Sequence, residues 1–142
     1  MNAATFQKVG ASARPMYGPR AMLICGFAPA EQDKITGLVK NMGIPQLPAI
    51  FAAPADGTIR LGDLLARPDQ SGKGAASTLA RAIILSGITE SELHRILGAY
   101  RQSGLPRPLW ATLTPTSENW PLSELLAELD AERRAMENRS NP

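Results

Sequence analysis

The chain is poor in the side chains on which most enzyme chemistry is built. A single cysteine, Cys25, excludes an intrachain disulfide and any multi-cysteine metal site. A single histidine, His94, excludes paired-histidine zinc chemistry and leaves little for metal binding, so no metal and no cofactor is expected. Aromatic residues make up only 5% of the 142, and the core must rest on Leu, Ile, Ala and Met. No apolar run approaches the roughly 18 residues needed to span a bilayer, and no membrane contact is expected. The first twenty residues hold no acid and no apolar signal-peptide segment; their cations are Lys8, Arg14 and Arg20. Residues 1–19, with Phe6 and Tyr17, read as a disordered basic arm offering at most a weak contact to RNA or an acidic partner. Those three cations exceed the net charge of +2, so the rest of the chain is slightly acidic. A near-neutral body is a poor footprint for nucleic acid, and a cytoplasmic protein is the expectation.

What is present is a hydrophobic content of 44%, enough for a core, punctuated by 12 Gly and 12 Pro. That punctuation recurs at a fixed distance. Setting the stretch from Arg20 over the stretch from Arg81 aligns Gly26 with Gly87, Glu31 with Glu92, Ile35 with Ile96, Gly37 with Gly98, Gly43 with Gly104 and Pro45 with Pro106. The same offset of 61 residues pairs Pro54 with Pro115, Leu61 with Leu122 and Leu64 with Leu125. An internal repeat follows, with a first copy at 20–66, a linker at 67–80 and a second copy at 81–139. One domain over 20–139 is expected, because about 60 residues alone would be marginal.

Each copy reads as strand–helix–strand–helix. Residues 21–25 and 82–86 are short apolar runs ended by Gly, suited to buried strands. Thr89 and Glu92 have capping-box spacing, and Pro29 suits a first helical position. Helices are expected at 32–42 and 90–103, closed by Gly43 and Gly104 in the left-handed conformation and barred from resuming by Pro45 and Pro106. Second strands fall at 48–53 and 108–113. Thr58 and Asn119 then read as N-caps of second helices, a short one at 59–66 and a long one through Leu122, Leu129 and Met136. On the long helix, Asp130/Arg134 and Arg133/Glu137 are spaced for salt bridges. A helix between two strands makes them parallel. The fold class is α/β (α+β), with one four-stranded sheet in a ferredoxin-like pseudo-twofold split arrangement and an extra C-terminal helix. The alternative is a wholly parallel four-stranded sheet with helices on both faces.

The stretch SGLPRPLWATLTPTSENWPLSELLAELDAERR, residues 103–134, resembles a family of short bacterial domains, domain of unknown function 3783. The shared pattern here is Gly104-Leu105-Pro106, Pro108, Trp110-Ala111, Thr114-Pro115-Thr116-Ser117, Asn119-Trp120 and Leu122 before Glu124-Leu125-Leu126. It covers the second copy well, and the first looks like a diverged copy. The resemblance implies a bacterial, intracellular protein and assigns no activity, cofactor or catalytic residue.

Several features invite a chemical reading and each has a plainer one. In SGKGAAST at 71–78 the second Gly follows Lys73 and the segment precedes a strand, so it is a flexible linker and not a phosphate loop. Cys25 and Ser86 occupy equivalent strand ends without a base in sequence reach, and read as small buried residues. His94 lies off its helix's apolar stripe and is expected to be exposed. The acids and arginines of the last helix read as a solvated face. The strongest candidate is the segment 114–120. Thr114, Thr116, Ser117, Asn119 and Trp120 converge between a strand and a helix, and Arg107 lies just before the same strand. The plainer reading has Asn119 capping the helix while Trp110 and Trp120 fill the core. The function expected is a binding or adaptor module, leaning away from catalysis, that contacts a protein partner through this loop. The alternative is a small-ligand or nucleotide sensor or enzyme with its pocket there.

Overall fold

Uncharged and apolar but for one serine, the segments AMLIC and AIILS form β1 (Ala21–Cys25) and β3 (Ala82–Ser86). They lie side by side at the centre of one four-stranded sheet ordered β2-β1-β3-β4. The outer strands are β2 (Ala49–Ala52) and β4 (Leu109–Thr112). The structure is a computed structural model and describes residues 14–140. The first thirteen residues of the expected arm, with Phe6 and Lys8, lie outside the described residues.

Two crossovers build the sheet. Helix α1 (Pro29–Asn41) joins β1 to β2, and α3 (Glu90–Gln102) joins β3 to β4. Both pairs are parallel. The central pair β1/β3 is antiparallel, which overturns the wholly parallel alternative. The ferredoxin-like split arrangement is corrected as well. In it the strands of the two units would interleave, whereas here each crossover sets its second strand directly beside its first. An interleaved sheet would also seat β1 beside β3, so the difference lies at the outer edges: each crossover returns its second strand to the free edge of its first, as strands consecutive in sequence tend to neighbour each other.

The register follows a simple rule. Met22 faces Ala49 on β2, and Ile83 faces Trp110 on β4, so both parallel pairs are offset by 27 residues. Leu23 faces Ile84 at the middle of the antiparallel pair. On one side of the sheet an isolated bridge joins Arg60 to Pro121, with Leu61 N–H donating to Trp120 O and Leu122 N–H to Ile59 O, both at 3.0 Å. Adding 61 to Leu23 gives Ile84, and to Arg60 gives Pro121.

Alternation along the strands divides the core into two layers. Met22, Ile24, Ile83 and Leu85 pack with Ile35 and Val39 of α1 and Ile96 and Tyr100 of α3. Leu23, Cys25 and Ile84 pack with Leu61, Leu64 and Leu65 of α2 (Leu61–Leu65) and with Leu122, Leu125 and Leu126 of α4 (Leu122–Ser140).

Local signals hold at α1 and α3. Pro29 starts α1, Thr89 Oγ1 accepts the Glu92 N–H, and Gly43 and Gly104 adopt φ of 72° and 79°. The expected caps Thr58 and Asn119 are not caps. They end 3-10 turns at Pro54–Thr58 and Ser117–Asn119, and the helices start later, at Leu61 and Leu122. Two causes are visible. Arg60 and its neighbours are held extended by the bridge to Pro121, and the residue before a proline is kept out of the helical region.

The polar linker is a strap rather than a loose tether. Ala49 N–H donates to Asp69 Oδ1 at 2.8 Å, Gln70 N–H to Ala49 O at 2.7 Å and Phe51 N–H to Ser71 O at 2.8 Å. These contacts close the outer edge of β2. Gly72 is held at φ 76°, where a Cβ would lie 2.2 Å from Phe51 O. Gln32 then anchors the strap to α1, its Nε2 donating to Ala75 O and its Oε1 accepting from Gly74 N–H. The end of the expected arm is placed as well. Met16 N–H donates to Ile88 O, and Gly87 N–H donates to Tyr17 O.

Candidate functional site at the β4 edge

β4 is a short edge strand between Pro108 and Thr114. Leu109 N–H donates to Arg81 O at 2.9 Å and Leu113 N–H to Leu85 O at 3.0 Å, so odd-numbered positions turn their backbone groups toward β3. Strand alternation turns those of Trp110 and Thr112 outward. Their counterparts on β2, Ala49 and Phe51, are the residues that the strap covers. Among the described residues nothing covers Trp110 and Thr112. The open stretch is closed off at both ends. Pro108 has no N–H to offer, and Thr114 has used both backbone groups, donating to Ser117 Oγ at 3.1 Å and accepting the Glu118 N–H at 3.0 Å.

The 114–120 segment forms a rigid knuckle at the C-terminal end of β4. Thr114 Oγ1 donates to Ser117 Oγ at 3.1 Å and accepts the Ser117 N–H at 3.0 Å. Ser117 is buried, while Thr114, Thr116 and Asn119 are exposed. Asn119 Oδ1 accepts from Arg60 Nη2, which ties the knuckle to α2. Tyr17 OH donates to Glu118 Oε1 at 2.5 Å, and that bond raises the tyrosine pKa. Trp120 is half-buried against the α2/α4 layer. Trp110 is half-buried too, packed on the α1/α3 layer with its ring edge-on to Tyr100 at 5.2 Å and 89°. Both tryptophans therefore border the core instead of filling it.

Arg107 is not part of the knuckle. It is exposed at the N-terminal end of β4, on the far side of the strand from Thr114. There it lines a hollow of about 520 Å3 with Tyr100, Arg101 and Trp110. It also lines a groove of about 780 Å3 between β4 and α4, shared with Arg81, Leu109, Leu129 and Arg133. The residues that sequence reading missed are Trp110 and Thr112 as backbone donors and acceptors, and Arg101 beside Arg107. A signal for the first existed in the prolines at 108 and 115, which bracket a strand too short to be central.

Burial, and then the charge of Asp56, pushes the Cys25 thiol up to about 12, so it carries no thiolate near neutrality. Ser86 Oγ is buried and has no hydrogen-bond partner among the described residues. His94 is exposed on α3. On α4, Asp130 pairs with Arg133 at 2.5 Å and Arg134 at 2.9 Å, and Arg133 reaches Glu137 at 2.8 Å. Among the described residues no three His, Cys, Asp or Glu side chains converge to hold a metal ion, and no helix is long and apolar enough to cross a membrane.

Residues 81–136 match the family described as Domain of unknown function (DUF3783). The match takes in β3, α3, β4, the knuckle and most of α4. No curated protein and no solved structure matches the chain.

Proposed function

We propose that this chain is a small, non-catalytic binding module of the bacterial cytoplasm, which holds a protein partner along β4 and the 114–120 knuckle at its end. The observation that carries this reading is the difference between the two sheet edges. On β2 the chain covers its own outward groups with the strap at 69–72; on β4, among the described residues, nothing gives Trp110 and Thr112 such a cover. An uncovered edge is a template for adding a strand, and pairing through main-chain groups is a common mode of peptide recognition. Arg107 and Arg101 flank that edge, and exposed Thr116 stands at its other end.

The module is a duplicated unit on this reading. The equal offset of 27 residues in both parallel pairs and the match of Arg60 to Pro121 support descent of the two halves from one copy. The first copy then serves as scaffold, with its edge sealed, and the second carries the contact surface. A small-ligand pocket at the knuckle is the weaker alternative, because the hydroxyls of Thr114 and Ser117 already satisfy each other.

The test is site-specific photo-crosslinking in cells. A crosslinking side chain at Arg107 or Thr116 is expected to trap one discrete protein, and the same side chain at Asp33 on α1 is not. Equal trapping from all three positions, or none, removes the β4 surface from consideration.

A further inference from the structure

The open edge of β4 fits a copy of itself. We infer that two copies of this chain pair β4 against β4 in antiparallel fashion, with Ala111 on the twofold axis, joining two four-stranded sheets into one. This rests on the reading of β4 as a docking edge, and it names the occupant.

Three observations select a second copy. The first is register. Among the described residues of β4, Trp110 and Thr112 each turn both an N–H and a C=O outward, and they flank Ala111 symmetrically. In an antiparallel pair centred on Ala111, Trp110 of one copy exchanges both backbone bonds with Thr112 of the second copy, and the reverse. The pairing uses both outward groups of Trp110 and of Thr112, and it stops at Pro108, which has no N–H, and at Thr114, whose two backbone groups are already bonded. The second is fit. The two residues on the axis are alanines, which suits the close approach of an antiparallel non-hydrogen-bonded pair at about 4.5 Å between Cα atoms. On the same face Leu109 meets Leu113 of the second copy. The third is charge. The N-terminal end of β4 carries exposed Arg101 and Arg107, and the knuckle beyond its C-terminal end carries half-buried Glu118. Antiparallel pairing sets these opposite ends together, with Arg107 of one copy over Pro115 of the second copy and near its Glu118. Arg107 and the knuckle, separated by the length of β4 in one chain, become neighbours between two. A closed twofold pair also leaves no further edge at that side of the sheet.

The test uses the full chain. Sedimentation equilibrium over micromolar to millimolar concentrations is expected to show mass rising from 15.2 kDa toward about 30 kDa. Amide hydrogen exchange at Trp110 and Thr112 should slow as concentration rises. Thr112→Pro removes an outward N–H without touching the ladder to β3, and Arg107→Glu reverses an exposed charge; each should weaken the dimer about tenfold or more. Circular dichroism and the melting temperature establish that both variants fold, and Arg107→Glu stands alone if Thr112→Pro does not. A chain that stays monomeric with fast exchange at Trp110 and Thr112 overturns the second copy, yet leaves β4 an open docking edge. A monomer with those amides protected, and released by deleting residues 1–13, overturns both the second copy and the open edge. A dimer that forms equally well in every folded variant overturns the placement at β4.

Discussion

Arg20 grips Glu92 with two parallel hydrogen bonds, Nη1 to Oε1 at 2.8 Å and Nη2 to Oε2 at 2.7 Å, and so ties the start of β1 to the start of α3. Arg20 also donates from Nε and Nη2 to Pro45 O, while Glu92 Oε1 accepts the Thr89 N–H. The related positions Arg81 and Glu31 face each other in the same way, but at 3.9 Å. Arg81 instead leans over the Phe27 ring, 5.3 Å from its centroid. One geometry is thus realised tightly on one side of the molecule and loosely on the other.

Glu92→Gln is expected to cost about 1–2 kcal/mol, because a two-pronged, partly buried pair and a helix cap lose their charge together. Glu31→Gln should cost less than about 0.5 kcal/mol, as for a long, partly exposed pair. Urea denaturation of the two variants measures the difference, and equal losses would remove the asymmetry argued above.

Stability should also follow the ionisation of Glu92. The guanidinium of Arg20, with help from the Thr89 N–H, holds its carboxyl at about 2, below the ordinary 4.5. A depressed folded-state value means that the unfolded chain takes up the proton first as pH falls. The contribution is complete above pH 4.5 and is lost as pH drops from there toward 2. Melting temperatures of wild type and Glu92→Gln should converge over that window, and a constant gap would contradict the assignment.

Glycine positions should separate cleanly. Gly87 has φ 66° and a Cβ there would sit 2.5 Å from Gly18 O, so Gly87→Ala should destabilise by more than about 1 kcal/mol. Gly98 lies within α3 with nothing within 4 Å of a Cβ, so Gly98→Ala should stabilise by about 0.5–1 kcal/mol. Thermal unfolding of the pair gives both signs, and a loss at Gly98 would mean that α3 is read wrongly.

The two equivalent strand-end residues should be chemically silent in the native state. Cys25, with its thiol pushed up to about 12 by burial, should resist a thiol reagent until the chain unfolds. Ser86→Ala deletes a buried hydroxyl that has no partner among the described residues, and is expected to be neutral or stabilising by about 1 kcal/mol. Rapid labelling of Cys25 in native buffer, or a large loss at Ser86→Ala, would point to chemistry at this strand end.

Much of the fold was legible because it is written locally. Two apolar runs, Pro29, the Thr89–Glu92 box and the pair Gly43 and Gly104 mark β1, β3, α1 and α3 in the sequence alone. What was not legible depends on partners distant in sequence. The pairing of each second strand with its own first, and the antiparallel meeting of Leu23 with Ile84, leave no trace in the strands themselves, so the sequence points first to the split arrangement and second to the all-parallel one. Thr58 and Asn119 carry cap chemistry, but the bridge between Arg60 and Pro121 overrides it. At the site, the 114–120 segment was found from its hydroxyls, while the strap at 69–72 and the open edge at Trp110 act through backbone atoms that no side-chain pattern records. Arg107 is legible as lying just before the strand that leads to the knuckle, and the extended strand sets it at the opposite end of β4.

The meeting of Leu23 with Ile84 bears on any chain that holds only the stretch 81–136. Cut away from the first half, β3 would have one flank bare, and its middle residue could find the missing neighbour only in a twin molecule, Ile84 against Ile84. Two such fragments would rebuild between them the sheet that this protein closes within a single polypeptide. Within this polypeptide β1 supplies that neighbour to β3 directly, without a second molecule.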